Sequence, residues 1–287
     1  MKYQEYKFCM NDSFELKDIF DCGQCFRWNM EENESYTGVI KNGVINIKKI
    51  GKNVFIKGIT DTNLEEIVYN YFDLKTDYKK IKTDFSNIDK YMKESTEFGE
   101  GIRILNQDLW ECILSFIISA NNNIPRIKKI IESISKKYGK KVVFENKNYY
   151  LFPTPEELSV ASVEDLRNLG LGFRDKRVFE TTRKVLNKEI DLERLIQIDN
   201  SEKIKEELLK LDGVGPKVAD CIMLFSMQRY DVFPIDVWVR RVMNDLYIKC
   251  ENEEAVSKKE ILKLADEKFG NLAGIAQQYL FYWRREQ

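Results

Sequence analysis

The residues best placed to do chemistry in this 287-residue chain lie in the stretch Leu208-Leu209-Lys210-Leu211-Asp212-Gly213-Val214-Gly215-Pro216-Lys217-Val218-Ala219-Asp220-Cys221. The pattern predicts a helix that ends before Gly213, a tight Gly-Val-Gly turn, and a second helix opened by Pro216. That second helix would present Val218, Cys221, Ile222 and Phe225 as its apolar face. The glycines let this backbone come close to another backbone or to a phosphate. The free N–H groups of a new helix N-terminus form an anion site. LxGVG between two helices, with Gly213, Val214 and Gly215 at the turn, is therefore a candidate grip for a phosphate that reads no sequence. An ordinary helix–turn–helix connection is the plain alternative. Lys217 falls in the first turn of the second helix, where the helix dipole disfavours a cation. A partly desolvated amine there is expected to have a lowered pKa, as a nucleophilic lysine needs. The competing expectation is a surface lysine paired with Asp220, three residues on.

Further along, Val232-Phe233-Pro234-Ile235-Asp236-Val237-Trp238 places Asp236 just ahead of an apolar, arginine-containing helix. Asp236 reads as an N-cap. A carboxylate could also stabilise the positive sugar of an oxocarbenium-like transition state. The chain has no histidine at all. Ser-His-Asp, Cys-His and histidine-base chemistry are thereby excluded, leaving Lys, Asp, Glu, Cys or the backbone. Six cysteines occur, at 9, 22, 25, 112, 221 and 250. Cys22-Gly23-Gln24-Cys25 is a CxxC, the spacing of a redox pair or half a zinc site. No second CxxC exists, and the four closely spaced cysteines of an iron–sulfur cluster are absent. No metal, iron–sulfur cluster or other cofactor is expected.

The elements that must position these residues suggest an α+β protein in two parts. Residues 1–95 carry three short runs rich in β-formers, Tyr36 to Ile40, Val44 to Lys49 and Val54 to Gly58. Asn42-Gly43 and Gly51-Lys52-Asn53 separate them, so a small antiparallel sheet joined by hairpins is expected. Leu64 to Tyr71 reads as an amphipathic helix covering it. Residues 96–287 read as a mainly helical region with the hairpin at 205–226. Leu109, Ile113, Phe116, Ile117 and Ala120 recur at helical spacing. Thr154-Pro155-Glu156-Glu157 is a capping box with Pro in the first turn. Val160 to Leu169 is expected to be a helix ended by Gly170-Leu171-Gly172. A last helix runs from about Asn271 to Arg284 and should pack back toward the first part.

Hydrophobic residues make up 43% and aromatics 12%, enough for a sizeable core. No apolar run reaches the roughly 18 residues that span a bilayer. The opening MKYQEYKFCMNDSFELKD lacks the apolar core of a signal peptide, so a cytoplasmic, membrane-free protein is the default. A net charge of −1 argues against random coating of nucleic acid, but local placement of Lys and Arg still permits a site-directed binder.

LDGVGPKVADC followed by FPIDVW resembles the hairpin–Gly/Pro loop–Asp signature of base-excision DNA glycosylases. Within that superfamily the chain is similar to the 8-oxoguanine DNA glycosylase/AP lyases. The similarity covers nearly the whole chain, through GQCFRW, SFIISANNNIPRI, LGLGFR and IAQQYLF in family order. The resemblance implies a monomer acting on damaged double-stranded DNA. It makes Lys217 the nucleophile that attacks the sugar C1′, expels the base and forms a Schiff base, from which β-elimination breaks the strand. It makes Asp236 the essential acid. The damaged base must leave the stack to be reached. Gly23 matches the carbonyl that accepts the N7–H of 8-oxoguanine. Gln277 matches the reader of the Watson–Crick edge, Phe281 the stacking aromatic, and Cys221 the opposite wall. Asn121, Arg126 and Arg174 match the readers of the orphaned cytosine, and Phe173 the wedge that supports the kink. Trp238 stands where the family usually has a histidine near a phosphate, and Arg284 where an acidic residue is common. Alkylated-base relatives generally lack the hairpin lysine, and adenine or oxidised-pyrimidine enzymes typically carry iron–sulfur cysteines. A non-catalytic hairpin module would leave Gly23, Gln277 and Phe281 without a purpose.

Overall fold

The computed structural model describes residues 1–10, 13–252 and 255–287. Alternating β-formers build β1 (Lys2–Cys9), then α1 (Leu16–Asp21), β2 (Trp28–Met30), β3 (Tyr36–Ile40), β4 (Gly43–Ile50) and β5 (Asn53–Thr60). These five strands form one antiparallel sheet in the order β1-β5-β4-β3-β2. Pairing of Ile40 with Gly43 and of Ile50 with Asn53 closes the two expected hairpins. One face of the sheet buries Tyr36, Ile45, Ile47, Val54 and Ile56 against Phe14, Phe20 and Phe72. Phe20 stacks on Trp28 with ring centroids 4.1 Å apart. The helix α2 (Leu64–Tyr71), capped by Asn63, buries Leu64 and Val68 into the same cluster.

The remainder is mainly helical: α3 (Tyr78–Ser86), α4 (Lys90–Phe98), α5 (Leu109–Ser119), α6 (Ile124–Tyr138), α7 (Pro155–Leu158), α8 (Val163–Leu166), α9 (Asp175–Leu186), α10 (Leu192–Ile196) and α11 (Ser201–Leu208). Then come α12 (Pro216–Met227), α13 (Val237–Met243), α14 (Lys258–Phe269) and α15 (Ala273–Arg285). Helix α5 buries nine of its eleven residues and is the centre of this region. Its Phe116 stacks on Phe225 of α12, with centroids 5.6 Å apart and planes within 17°.

Two expectations need correction. A two-stranded hairpin, β6 (Lys141–Phe144) and β7 (Lys147–Tyr150), interrupts the helices. Glu145 and Asn146 both take positive φ at its tip, a turn geometry that Asn-Gly usually announces and Glu-Asn does not. The helix expected over Val160 to Leu169 begins only at Val163, because Ser162 and Asp165 form a capping box there. It then widens into a single broad turn over Arg167–Leu171, with Gly170 at φ +93°.

The C-terminal helix returns to the loop after α1. The Gln278 side chain donates to the Cys22 carbonyl at 2.7 Å, and Tyr282 donates to the Asp18 carboxylate at 3.3 Å. Among the described residues, no helix is long and apolar enough to cross a membrane.

Candidate active site

The expected hairpin forms. α11 ends at Leu208, the Val214 N–H donates to Leu211 O, and α12 begins at Pro216. Gly213 is required at φ +88°: a Cβ there would lie 2.6 Å from Cδ of Arg177. Val214 is buried and pins the turn to the core. Gly215 is the N-cap of α12, and no side chain caps its first turn. The neighbouring helices differ, for Asn200 caps α11 and Asp236 caps α13. The amides at the start of α12 therefore stand open to an anion.

Lys217 follows directly. Its side chain is half-buried, and its ammonium lies 5.5 Å from the centroid of the Phe116 ring of α5. The competing ion pair does not form: Asp220 binds Lys205 at 2.7 Å, and burial pushes its carboxyl up to about 6. The expected lowering of the Lys217 pKa is overturned. The amine is held above its ordinary range, chiefly by Cys221 one turn on and with help from Asp236, against the opposing effect of burial. Burial in turn holds the Cys221 thiol above its ordinary range. At neutral pH the pair is an ammonium beside a neutral thiol, and the ammonium must lose its proton before it can attack.

Asp236 sits at the N-cap of α13, half-buried, and accepts the Val239 N–H at 2.7 Å. Buried Phe233 and Ile235 anchor the loop that delivers it. The cap was legible in sequence, whereas the electrostatic reach of Asp236 to Lys217 is decided by the tertiary fold.

The structure brings Gly23 and Phe281 together. Gly23 has φ +88°, and a Cβ there would lie 3.6 Å from the Phe281 ring and 3.1 Å from Nη1 of Arg285. Gln277 and Cys221 are buried. Gly274 lets α15 close on α12, since a Cβ there would meet Leu224 at 2.7 Å. Sequence reading missed the supports of this loop. The Gln24 side chain donates to Ile19 O and Arg103 O and accepts the Leu105 N–H, all at 2.8 Å. Gln107 donates to Gln24 O at 2.7 Å. A signal existed for Gln278: two adjacent glutamines in an apolar helix cannot share a face, so each needs its own partner. Cys22 and Cys25 are buried free thiols, and burial pushes Cys22 up to about 12, so neither has thiolate character.

Asn121, Arg126, Phe173 and Arg174 converge at the α5–α6 turn and the broad turn before α9. Asn121 adopts φ +51°, and Phe173 is 55% exposed. Arg126 donates to Gly170 O at 3.3 Å. Arg174 is buried, donating to the carbonyls of Ala120, Asn121 (2.6 Å) and Leu171 (3.3 Å), with its guanidinium carbon 4.2 Å from the Phe173 centroid. Trp238 is partly exposed, while Arg284 turns to Asp245 at 3.5 Å. A cleft of about 650 Å³ beside Asn70, Asn106 and Ile196 holds none of these residues, so cavity size does not locate the site.

Comparison with known proteins agrees with this geometry. Residues 7–113 match the model of the 8-oxoguanine DNA glycosylase N-terminal domain, and residues 114–269 that of the HhH-GPD superfamily of base excision DNA repair proteins. A probable N-glycosylase/DNA lyase of Methanothermobacter thermautotrophicus is 32% identical over 78% of this chain and 75% of its own length. The N-glycosylase/DNA lyase of Saccharomyces cerevisiae is 30% identical over 98% of this chain and 86% of its own. The structure of Clostridium acetobutylicum 8-oxoguanine glycosylase/lyase, solved with double-stranded DNA containing cytosine opposite 8-oxoguanine, superposes with a TM-score of 0.90. It is 49% identical, covering 96% of this chain and 93% of that one. The chain belongs to the HhH-GPD superfamily of base excision DNA repair proteins, among the N-glycosylase/DNA lyases that carry the 8-oxoguanine DNA glycosylase N-terminal domain.

Proposed function

We propose that this chain removes 8-oxoguanine, preferentially opposite cytosine, from duplex DNA and then cuts the strand. The observation that carries this reading is Lys217: a half-buried amine against Cys221 and Phe116, in the first turn behind open hairpin amides. The hairpin at Gly213, Val214 and Gly215 holds a phosphate. Lys217 loses its proton and its Nζ forms a bond to C1′ as the bond from C1′ to the base breaks; the base leaves with that electron pair and takes up a proton. Ring opening gives the Schiff base, and loss of a C2′ proton with departure of the 3′ phosphate cuts the strand. Asp236 stabilises the positive sugar as it develops. Gly23, Cys221, Gln277 and Phe281 hold the flipped base, while Asn121, Arg126, Phe173 and Arg174 occupy and read the gap. The division into residues 1–95 and 96–287, action as a monomer in the cytoplasm, and independence of metal or iron–sulfur cluster belong to the same proposal.

Borohydride trapping on a duplex with 8-oxoguanine opposite cytosine tests it. The wild type should give a covalent protein–DNA band that Lys217→Gln abolishes while still binding the duplex. Trapping that survives in Lys217→Gln would remove the nucleophile assignment.

A further inference from the structure

One group at the Gly23–Phe281 seam has no part in the mechanism above. Arg285 follows Gln277 and Phe281 at intervals of four, so the three share one face of α15. Its Nη1 comes within 3.1 Å of the point a Gly23 Cβ would occupy, and its guanidinium carbon lies 5.6 Å from the centroid of the Phe281 ring. The guanidinium is fixed from behind: Nη2 donates to Asp21 O, and Nε donates to the Glu286 carboxylate at 3.0 Å. Nη1 is left facing Gly23.

We propose that Arg285 is a specificity-determining residue whose guanidinium donates to the C8 carbonyl of the flipped base. The inference rests on Gly23, Gln277 and Phe281 forming the damaged-base site. If Gly23 O accepts N7–H, a donor beside Gly23 meets one of the two carbonyls flanking that position. The C6 carbonyl adjoins the Watson–Crick edge, at the Gln277 end of the stripe. The C8 carbonyl lies away from that edge, at the Arg285 end. Guanine presents a C8–H there, which is weakly positive and accepts no hydrogen bond. A fixed cation therefore attracts the oxidised base and disfavours the normal one, acting on a different atom from Gly23. A donor held in place by Asp21 O and Glu286 also needs little ordering when the base arrives.

Single-turnover excision from an 8-oxoguanine:cytosine duplex, run beside nicking of a duplex with a preformed abasic site, tests the assignment. Loss of a charge-assisted hydrogen bond should slow excision ~10- to 100-fold in Arg285→Ala. Nicking of the abasic duplex, which offers no base to read, should stay at the wild-type rate, and Arg285→Lys should recover part of the loss. Wild-type excision by Arg285→Ala would overturn the proposal. An equal loss on both substrates would overturn it too, marking a structural role. A wild type that nicks abasic duplexes but leaves 8-oxoguanine in place would overturn the lesion assignment itself, and this proposal with it.

Discussion

The hairpin around Lys217 and the cluster around Arg174 stand at different stages of readiness. Lys217 is held between two core helices, its neighbours Phe116 and Cys221 already in contact with the packed interior. Arg174 is folded inward, its guanidinium engaged with the carbonyls of its own and the neighbouring turn. The difference follows from what builds each region. Close-packed helices admit one arrangement of Lys217. The Arg174 cluster rests on turns with Asn121, Gly170 and Gly172 at positive φ, outside regular α-helix. The proposed nucleophile already stands beside Phe116 and Cys221, whereas a base-reading role for Arg174 requires it to exchange backbone carbonyls for a base edge.

That contrast can be broken or sharpened by substitution. The largest effect is expected at Asp236. Asn caps a helix as well as Asp does, so Asp236→Asn should keep the fold and remove the charge. Single-turnover excision should fall by about 10²- to 10³-fold, the scale of losing one preorganised electrostatic group. An unchanged rate with an unchanged melting temperature would refute the catalytic role and leave Asp236 as a cap alone.

Arg174→Ala should act on both stability and selectivity. It leaves carbonyls at Ala120 and Asn121 short of a donor, costing about 1–3 kcal/mol in denaturant unfolding. If Arg174 also turns outward to read cytosine, the ratio of excision rates opposite cytosine and adenine should drop as well. A loss of stability with the ratio intact would make Arg174 a purely structural residue.

The smallest effect should come from Cys221→Ser and appear in the pH profile. Lys217 is held above its ordinary range, so the free amine is scarce at neutral pH and the excision rate should climb as pH rises. Cys221 bears charge only where its own raised thiol titrates, so Cys221→Ser should keep the neutral limb and move only the alkaline limb of the profile to lower pH. A profile that stays in place would show that bound DNA, not Cys221, sets the proton affinity of Lys217.

The sequence by itself determined what short-range physics governs. The hairpin turn, the Thr154 and Asp236 caps and the β3–β5 meander depend on residues within a few positions of one another. Those signals were legible, as was the lack of histidine that excludes histidine-based catalysis. Partner choice between distant segments was not. Asp220 was three residues from one lysine, yet it pairs with Lys205 on the neighbouring helix, because α11 packs against that side of α12. Lys217 was expected to be acidified by its helix dipole and is instead held basic by Cys221. Arg174 matches a reader of the orphaned cytosine by resemblance, and the fold places it buried. Gly23 and Arg285, near opposite ends of the chain, meet only because α15 folds back onto the loop after α1. Only the tertiary structure could decide these points, because burial and charge pairing depend on distances in space that residue spacing along a chain does not encode.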